Sequence, residues 1–318
     1  MNRRQLLLIG SRLLQVVPVV ILATVAIFGL LQLVPGDPAA VIAGEYATAE
    51  RIADIRRMLG LDRPVWEQYV VWLGHAVQGD LSTSLITGQP VLDEVLRRLP
   101  NTLLITVLAL VLAVLIGVPL GILAATRVDR PTDRIVTTIA SLGVAVPNFW
   151  LGMILVGFFA LGLGWFPTTG AASLTQDPLR ALSHAALPAL ALATGGIAEI
   201  TRQLRSALIE VLSSQYVRTL HAKGLSNARI LWQHGLKNVS LTLLTVVGLV
   251  FNRALGATVA IEAVFAIPGT GSLVVASATN KDFPVVQGVV FVLVLIVIGL
   301  NLMIDLLYSL LDPRVNRR

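Results

Sequence analysis

The sequence predicts an all-α, polytopic membrane protein with six transmembrane helices and both termini in the cytosol. Three observations predict it. Hydrophobic residues make up 55% of the 318 residues and charged residues only 13%, against about 25% charged in an ordinary soluble domain. Six apolar stretches are candidates for the roughly 20 residues that a helix needs to cross a hydrocarbon core about 30 Å thick. The Lys and Arg residues between those stretches fall unequally on alternate sides. This composition excludes a soluble enzyme, a disordered chain and a nucleic-acid-binding domain as first readings. The net charge of +6 then sorts by side of the bilayer and marks no nucleic-acid footprint. With no cysteine, disulfides, thiolate zinc sites, iron–sulfur clusters and cysteine nucleophiles are excluded. His75, His184, His221 and His234 show no metal-ligand spacing, so no metal and no catalytic group is expected.

The elements follow in order. The first span is expected from Leu13 to Val34, behind Arg3, Arg4 and Arg12. Its length of about 22 residues exceeds the 7–15 of a signal-peptide apolar region, so an uncleaved helix is expected. Residues 36–99 read as an external segment of short amphipathic helices. Thr48 caps one that carries Ile52, Ile55 and Leu59 and stops at Gly60. Pro64 opens a second with Trp66, Tyr69, Val70 and Leu73; Pro90 opens a third with Leu92, Val95, Leu96 and Leu99. The segment is either a cap packed on the outer face of the bundle or a surface that docks an external partner. The second span is expected at Leu103–Ala125 and the third at Ile135–Leu163, where Pro147 should kink the helix. The fourth, Ala185 to about Ile200, is the weakest; the fifth is Leu241–Val264 and the sixth Val286–Leu307.

Between the fourth and fifth spans lies a loop at 202–238, read as two short helices. One runs from Tyr216 to Lys223 and ends at Gly224; the next is capped by Ser226 and carries Ile230, Leu231 and His234. It is either a docking surface or an amphipathic segment lying on anionic lipid. The resulting organisation is an N-terminal transmembrane helix at 1–35, an external helical segment at 36–99, a five-helix core at 100–312 and a tail at 313–318.

Orientation follows from the basic residues. With a cytosolic N-terminus, the inner side holds Arg3, Arg4 and Arg12; Arg127, Arg130 and Arg134; Arg202, Arg205, Arg218, Lys223, Arg229 and Lys237; and Arg314, Arg317 and Arg318. That is 15 of the 24 Lys and Arg residues, against 8 outside, and nine of the 18 acids lie between Asp37 and Glu94. Arg253 alone lies inside a span, beside Asn252. A charge at mid-membrane costs about 2.5–3.5 kcal/mol on insertion scales, so it should face a partner or a watered path. A role toward cargo or gate and a structural pairing are both open for it. Glu262 lies nine residues on, about 13.5 Å along the helix and half a turn around, and does not pair with Arg253 on that helix. It belongs either to an outer gate or to the interface as a plain carboxylate. Glu199 and Arg202 are expected to form an ordinary ion pair where the fourth span leaves the membrane.

Several strings share an order with one family. The cytosolic loop contains Tyr216-Val217-Arg218-Thr219-Leu220-His221-Ala222-Lys223-Gly224-Leu225, then His234-Gly235-Leu236-Lys237-Asn238. Pro35-Gly36-Asp37-Pro38 follows the first span, Gly79-Asp80-Leu81 and Arg98-Leu99-Pro100 precede the second, and Val146-Pro147-Asn148-Phe149-Trp150 interrupts the third. Glu262-Ala263-Val264-Phe265 leads into Pro268-Gly269, Pro284-Val285-Val286-Gln287-Gly288 opens the sixth span, and Leu311-Asp312-Pro313-Arg314 ends the series. This order resembles the permeases of ABC importers, and within them the first inner-membrane subunit of dipeptide and oligopeptide systems. One departure stands out. The general motif of Glu-Ala-Ala, three residues and Gly reads here as Arg218-Thr219-Leu220 with Gly224 retained, and the later Leu-Pro reads Leu236-Lys237.

The resemblance implies the type I ABC importer permease fold in a bacterial plasma (inner) membrane. It implies a homologous second permease subunit, two cytosolic ATPase subunits that carry ATP and magnesium, and an external substrate-binding protein. Tyr216, Arg218, Thr219, Leu220, Lys223, Gly224 and Leu225 would then couple to the ATPase. Asn252 and Arg253 would line the translocation path, and Glu262, Pro268 and Gly269 would form an outer gate. The cargo would be short peptides, with nickel complexes, glutathione or oligosaccharides as alternatives. The chain contains no G-x-x-x-x-G-K-[ST] phosphate loop, so the energy source lies in another chain. An ion-coupled secondary transporter is the reading from another class; it predicts internal repeats, and no duplicated pattern is visible.

Overall fold

The computed structural model describes residues 3–33, 36–44 and 46–311, which are helical apart from loops and one isolated bridge between Thr83 and Pro90. The helices are α1 (Arg3–Gln32), α2 (Pro38–Ala43), α3 (Ala49–Met58), α4 (Val65–Val77), α5 (Val91–Ala125), α6 (Pro131–Ala145), α7 (Asn148–Leu155), α8 (Pro178–Leu212), α9 (Gln215–Ala222), α10 (Asn227–Arg229), α11 (Leu236–Val264), α12 (Thr270–Thr279) and α13 (Phe283–Leu311). Two wider π-helical segments, Val156–Gly162 and Ile230–Gly235, continue α7 and join α10 to α11. Among the described residues, α5, α8, the run Asn227–Val264 and α13 are long and apolar enough to cross a bilayer, and α6 with α7 forms a fifth, broken crossing. The apolar stretch of α1 within reach of that comparison is the shorter Val16–Gln32; the Val34 end of the expected first span and the tail at 313–318 lie outside the described residues.

The chain groups into two compact units, one of Met1–Pro100 with Gly269–Leu302 and one of Asn101–Pro268 with Met303–Arg318. In the first, Asp37 explains its motif: Oδ1 accepts from the Ala39 amide at the start of α2, and Oδ2 accepts from Arg56 at 2.9 Å. Thr48 caps α3, as expected, by accepting from the Arg51 amide. Helix α4 lays Tyr69 and Trp72 against Phe28 of α1, with Trp72 edge-on to Phe291 at 5.8 Å. Trp66 and Val70 of the same helix are exposed. At the end of α4, the Ser82 amide and the His75 ring hold the Asp80 carboxyl below the usual carboxylate range. Buried Asp282 accepts from the Ser84 hydroxyl and the Leu85 amide, which fixes the loop before α5. Gly288 lets α13 meet α5: a Cβ there would stand 2.4 Å from Val91.

The third external helix does not exist as a separate element. It is the first part of α5, because nothing between Val91 and Asn101 has stop chemistry; Pro100 removes one donor, which a long helix tolerates.

The second unit is organised around α8. The stretch that looked weakest as a span is the most buried helix of the set, and it runs 35 residues, from Pro178 to Leu212, through Pro188. Its apolar deficit is an abundance of Ala and Gly, and small residues let helices approach closely. A Cβ at Gly117 of α5 would meet the Ile197 carbonyl at 3.0 Å, and one at Gly196 would meet Val250 of α11 at 2.7 Å. The Thr201 hydroxyl donates to the Gly117 carbonyl across the same contact. The expected kink in the third span is a 98° break. Val146 is extended (φ −83°, ψ 122°), the conformation that a following proline favours, and Pro147 then opens α7.

Candidate functional site

The segment between the fourth and fifth spans is shorter than the expected 202–238, because α8 continues to Leu212 and the second short helix is the foot of α11. No stop residue separates Asn227 from Val264, and the π-helical turn absorbs Gly235 without ending the helix. What projects is α9 with its two turns. Ser214 caps it by accepting from the Val217 amide, and Val217 and Leu220 bury themselves against Leu212, Leu225 and Ile230. The helix ends in a Schellman turn: the Leu225 amide donates to the Leu220 carbonyl, and the Gly224 amide to the His221 carbonyl. Gly224 has φ +81°, a left-handed value that disfavours any side chain, although open space surrounds it.

Of the residues expected to couple, Tyr216, Arg218, Thr219, Lys223 and Gly224 form the exposed face of α9, whereas Leu220 is buried and Leu225 half-buried in its seat. Tyr216 is tied back to the foot of α11, its hydroxyl 2.8 Å from Nδ1 of His234. His221 Nε2 is 2.8 Å from the Asn227 side chain, a second tie from α9 to the next helix. The sequence had offered no sign of either contact beyond the residues' nearness in the loop.

Arg253 stands in the middle third of α11 with its side chain 71% exposed, and its NH1 lies 3.7 Å from Glu199 Oε2 on α8. Glu199 on α8 and Arg253 on α11 therefore lie at the same level of the two helices. The same carboxylate accepts from Arg202 NH2 at 2.8 Å and from Gln203 Nε2 at 3.1 Å. Beside Arg253, the Asn252 side-chain oxygen is buried without a hydrogen-bond partner. Three residues later on α8, Arg205 meets Asp133 of α6 through two hydrogen bonds, at 2.6 and 2.7 Å. Sequence reasoning missed both tertiary contacts; the one signal available was that Asp133 stands next to Arg134, on the side expected to hold Arg205.

At the C-terminal end of α11, Glu262 is fully buried, and Thr102 Oγ1 donates to it at 2.6 Å. Its backbone carbonyl accepts from the Ile267 amide, and the Pro268 carbonyl accepts from Asn101 Nδ2 at 3.0 Å. In the single chain Glu262 is therefore packed away, whereas Pro268 beside it is exposed. Gly269 starts α12, with its amide donating to Ser272 Oγ. Among the described residues no three His, Asp or Glu side chains gather as a metal site would.

The comparisons with known proteins agree with this geometry. Residues 117–317 match the family described as the binding-protein-dependent transport system inner membrane component, and residues 5–106 match the N-terminal region described for the same systems. A probable peptide ABC transporter permease of Sinorhizobium fredii is 41% identical over 96% of this chain and 97% of its own. An oligopeptide transport system permease of Bacillus subtilis is 38% identical, and a glutathione transport system permease of Escherichia coli 39%, each over 96% of this chain and 97% of its own. The inward-facing MetNI methionine ABC transporter superposes with a TM-score of 0.54 over 69% of this chain and 96% of that one, at 20% identity, which shows the type I importer permease fold. The chain belongs to the binding-protein-dependent transport system inner membrane components, as a multi-pass permease of the bacterial inner membrane.

Proposed function

We propose that this chain is the permease subunit of an ATP-driven importer for short peptides. The observation that carries this reading is the near full-length similarity to peptide and oligopeptide permeases. The chain would cross the membrane six times with both termini in the cytosol, counting α1 and the broken α6–α7 pair as one crossing each. It would pair with a homologous second permease, with two cytosolic ATPases seated on α9 and an external binding protein that delivers the cargo. Closure of the ATPases draws the two α9 helices together and turns the path outward; hydrolysis resets it. A face of exposed Tyr, Arg, Thr and Lys on a helix that is rigidly seated by Val217, Leu220 and Ile230 suits such a push.

Glutathione, itself a tripeptide, is the alternative cargo, raised by the 39% identical glutathione permease, whose identity lies between those of the two peptide permeases. The test is purification with the co-encoded subunits, followed by mass analysis of what the binding protein carries. Short peptides are expected; a nickel complex or a sugar overturns the assignment.

A further inference from the structure

The Glu199 cluster is charge-unbalanced. One carboxylate stands between two guanidiniums, and it is hydrogen-bonded to Arg202, not to Arg253. Arg253 makes no hydrogen bond among the described residues, so its planar fork is free, and the cluster carries one uncompensated positive charge. Facing acyl chains there would cost about 2.5–3.5 kcal/mol, which places this face of α8 and α11 toward water or a polar partner. A free guanidinium fork is the side chain that matches a carboxylate bidentately. Every unmodified peptide carries one such carboxylate at its C-terminus, whatever its side chains. A site for that group alone therefore serves many cargoes.

We propose that Arg253 is a transient carboxylate site on the translocation path and that Glu199 is its release residue. This rests on the peptide reading. The cargo carboxylate takes the fork of Arg253 in place of the long contact with Glu199. Glu199, held in position by Arg202 and Gln203, then competes for the guanidinium and keeps the site weak. A path needs that weakness, since a group bound too well does not move on.

The test uses the assembled importer. The chain has no cysteine, so Leu249→Cys places a single thiol on it, one turn before Arg253 on the exposed face. Anionic and cationic water-soluble methanethiosulfonates are compared by mass analysis of this chain, each normalised to its rate with a free thiol in solution. The anionic reagent is expected to react about tenfold faster, with the ratio falling to about one in Arg253→Gln and rising in Glu199→Gln. No labelling by either reagent, or a ratio indifferent to Arg253→Gln, overturns the site. In uptake, Arg253→Gln is expected to reduce transport of a free tripeptide about tenfold and leave its C-terminal amide unchanged, while Glu199→Gln lowers both KM and kcat for the free acid. Equal loss for acid and amide makes Arg253 structural. If the unaltered importer takes up neither, the peptide reading fails, and the labelling ratio still decides whether the path is anion-selective at Arg253.

Discussion

On α8, Arg202 and Arg205 lie one turn apart, yet the carboxylates they meet are held in different ways. Asp133 has a side chain only 4% exposed and takes both nitrogens of the Arg205 fork, while its Oδ2 also accepts from the Asp129 amide. Charge, geometry and burial are matched one to one, and α6 is clamped to α8. Glu199 is shared between Arg202 and Arg253, with one short contact and one of 3.7 Å, and most of Arg253 is exposed. The first arrangement leaves nothing over for another molecule. The second leaves a cation free, and a free cation in the middle of a membrane helix has to be explained by something outside the chain.

Breaking the complete pair should have the largest effect on stability. Asp133→Ala strands a guanidinium and is expected to cost about 3 kcal/mol, read as a lower melting temperature of the purified permease; replacing Asp133 and Arg205 together by Met should be close to neutral. If the single and double variants melt alike, the clamp is not what holds α6 to α8. Gly224→Val comes next, at about 1–2 kcal/mol, because a β-branched residue is forced to a left-handed φ. Its larger consequence should be functional: the ATPases no longer co-purify or no longer hydrolyse in step with transport, while the chain stays inserted. Retained coupling would remove α9 from the ATPase contact.

The same turn, at the C-terminal end of α11, gives the counterpart. Ala266 has φ +47°, and the Ile267 amide donates to the Glu262 carbonyl as Leu225 does to Leu220. Ala266→Gly should therefore stabilise by about 0.5–1 kcal/mol, the left-handed cost of Ala less the extra freedom that Gly has when unfolded, with ATPase coupling untouched. The smallest stability change is expected for Arg253→Gln, within about 0.5 kcal/mol, since the side chain is exposed and loosely held. A melting loss as large as that of Asp133→Ala would place Arg253 with the structural pairs.

How far the sequence could be read depended on whether the deciding contacts were local. Two Schellman turns, at Gly60 and Gly224, were read from the sequence because glycine announces a left-handed residue; the same turn at Gly79 was not anticipated. The equivalent turns at Ala266 and Lys281 were not legible, since no residue type there signals the conformation and surrounding packing imposes it. The caps at Thr48 and Ser226, both expected, are side-chain bonds to amides three residues on, and such short-range chemistry shows in the sequence; Ser214 makes the same bond and was not anticipated. The break at Pro147 was equally local. The lengths of α5 and α8 were harder, because hydropathy locates an apolar core while neighbouring helices and loops decide where the ends extend.

By itself, then, the sequence determined the helical membrane class, the turns that glycine, proline and hydroxyl residues impose, and the resemblance to importer permeases. Composition, periodicity and capping act within a few residues and need no partner. Only the tertiary structure decided that Ala-rich α8 is the central helix, that Glu262 is buried against Thr102, and that Arg205 and Arg253 meet different acids. Those outcomes depend on which helix faces come together, and residues far apart in the chain become neighbours only when small residues such as Gly117 and Gly196 let the helices close.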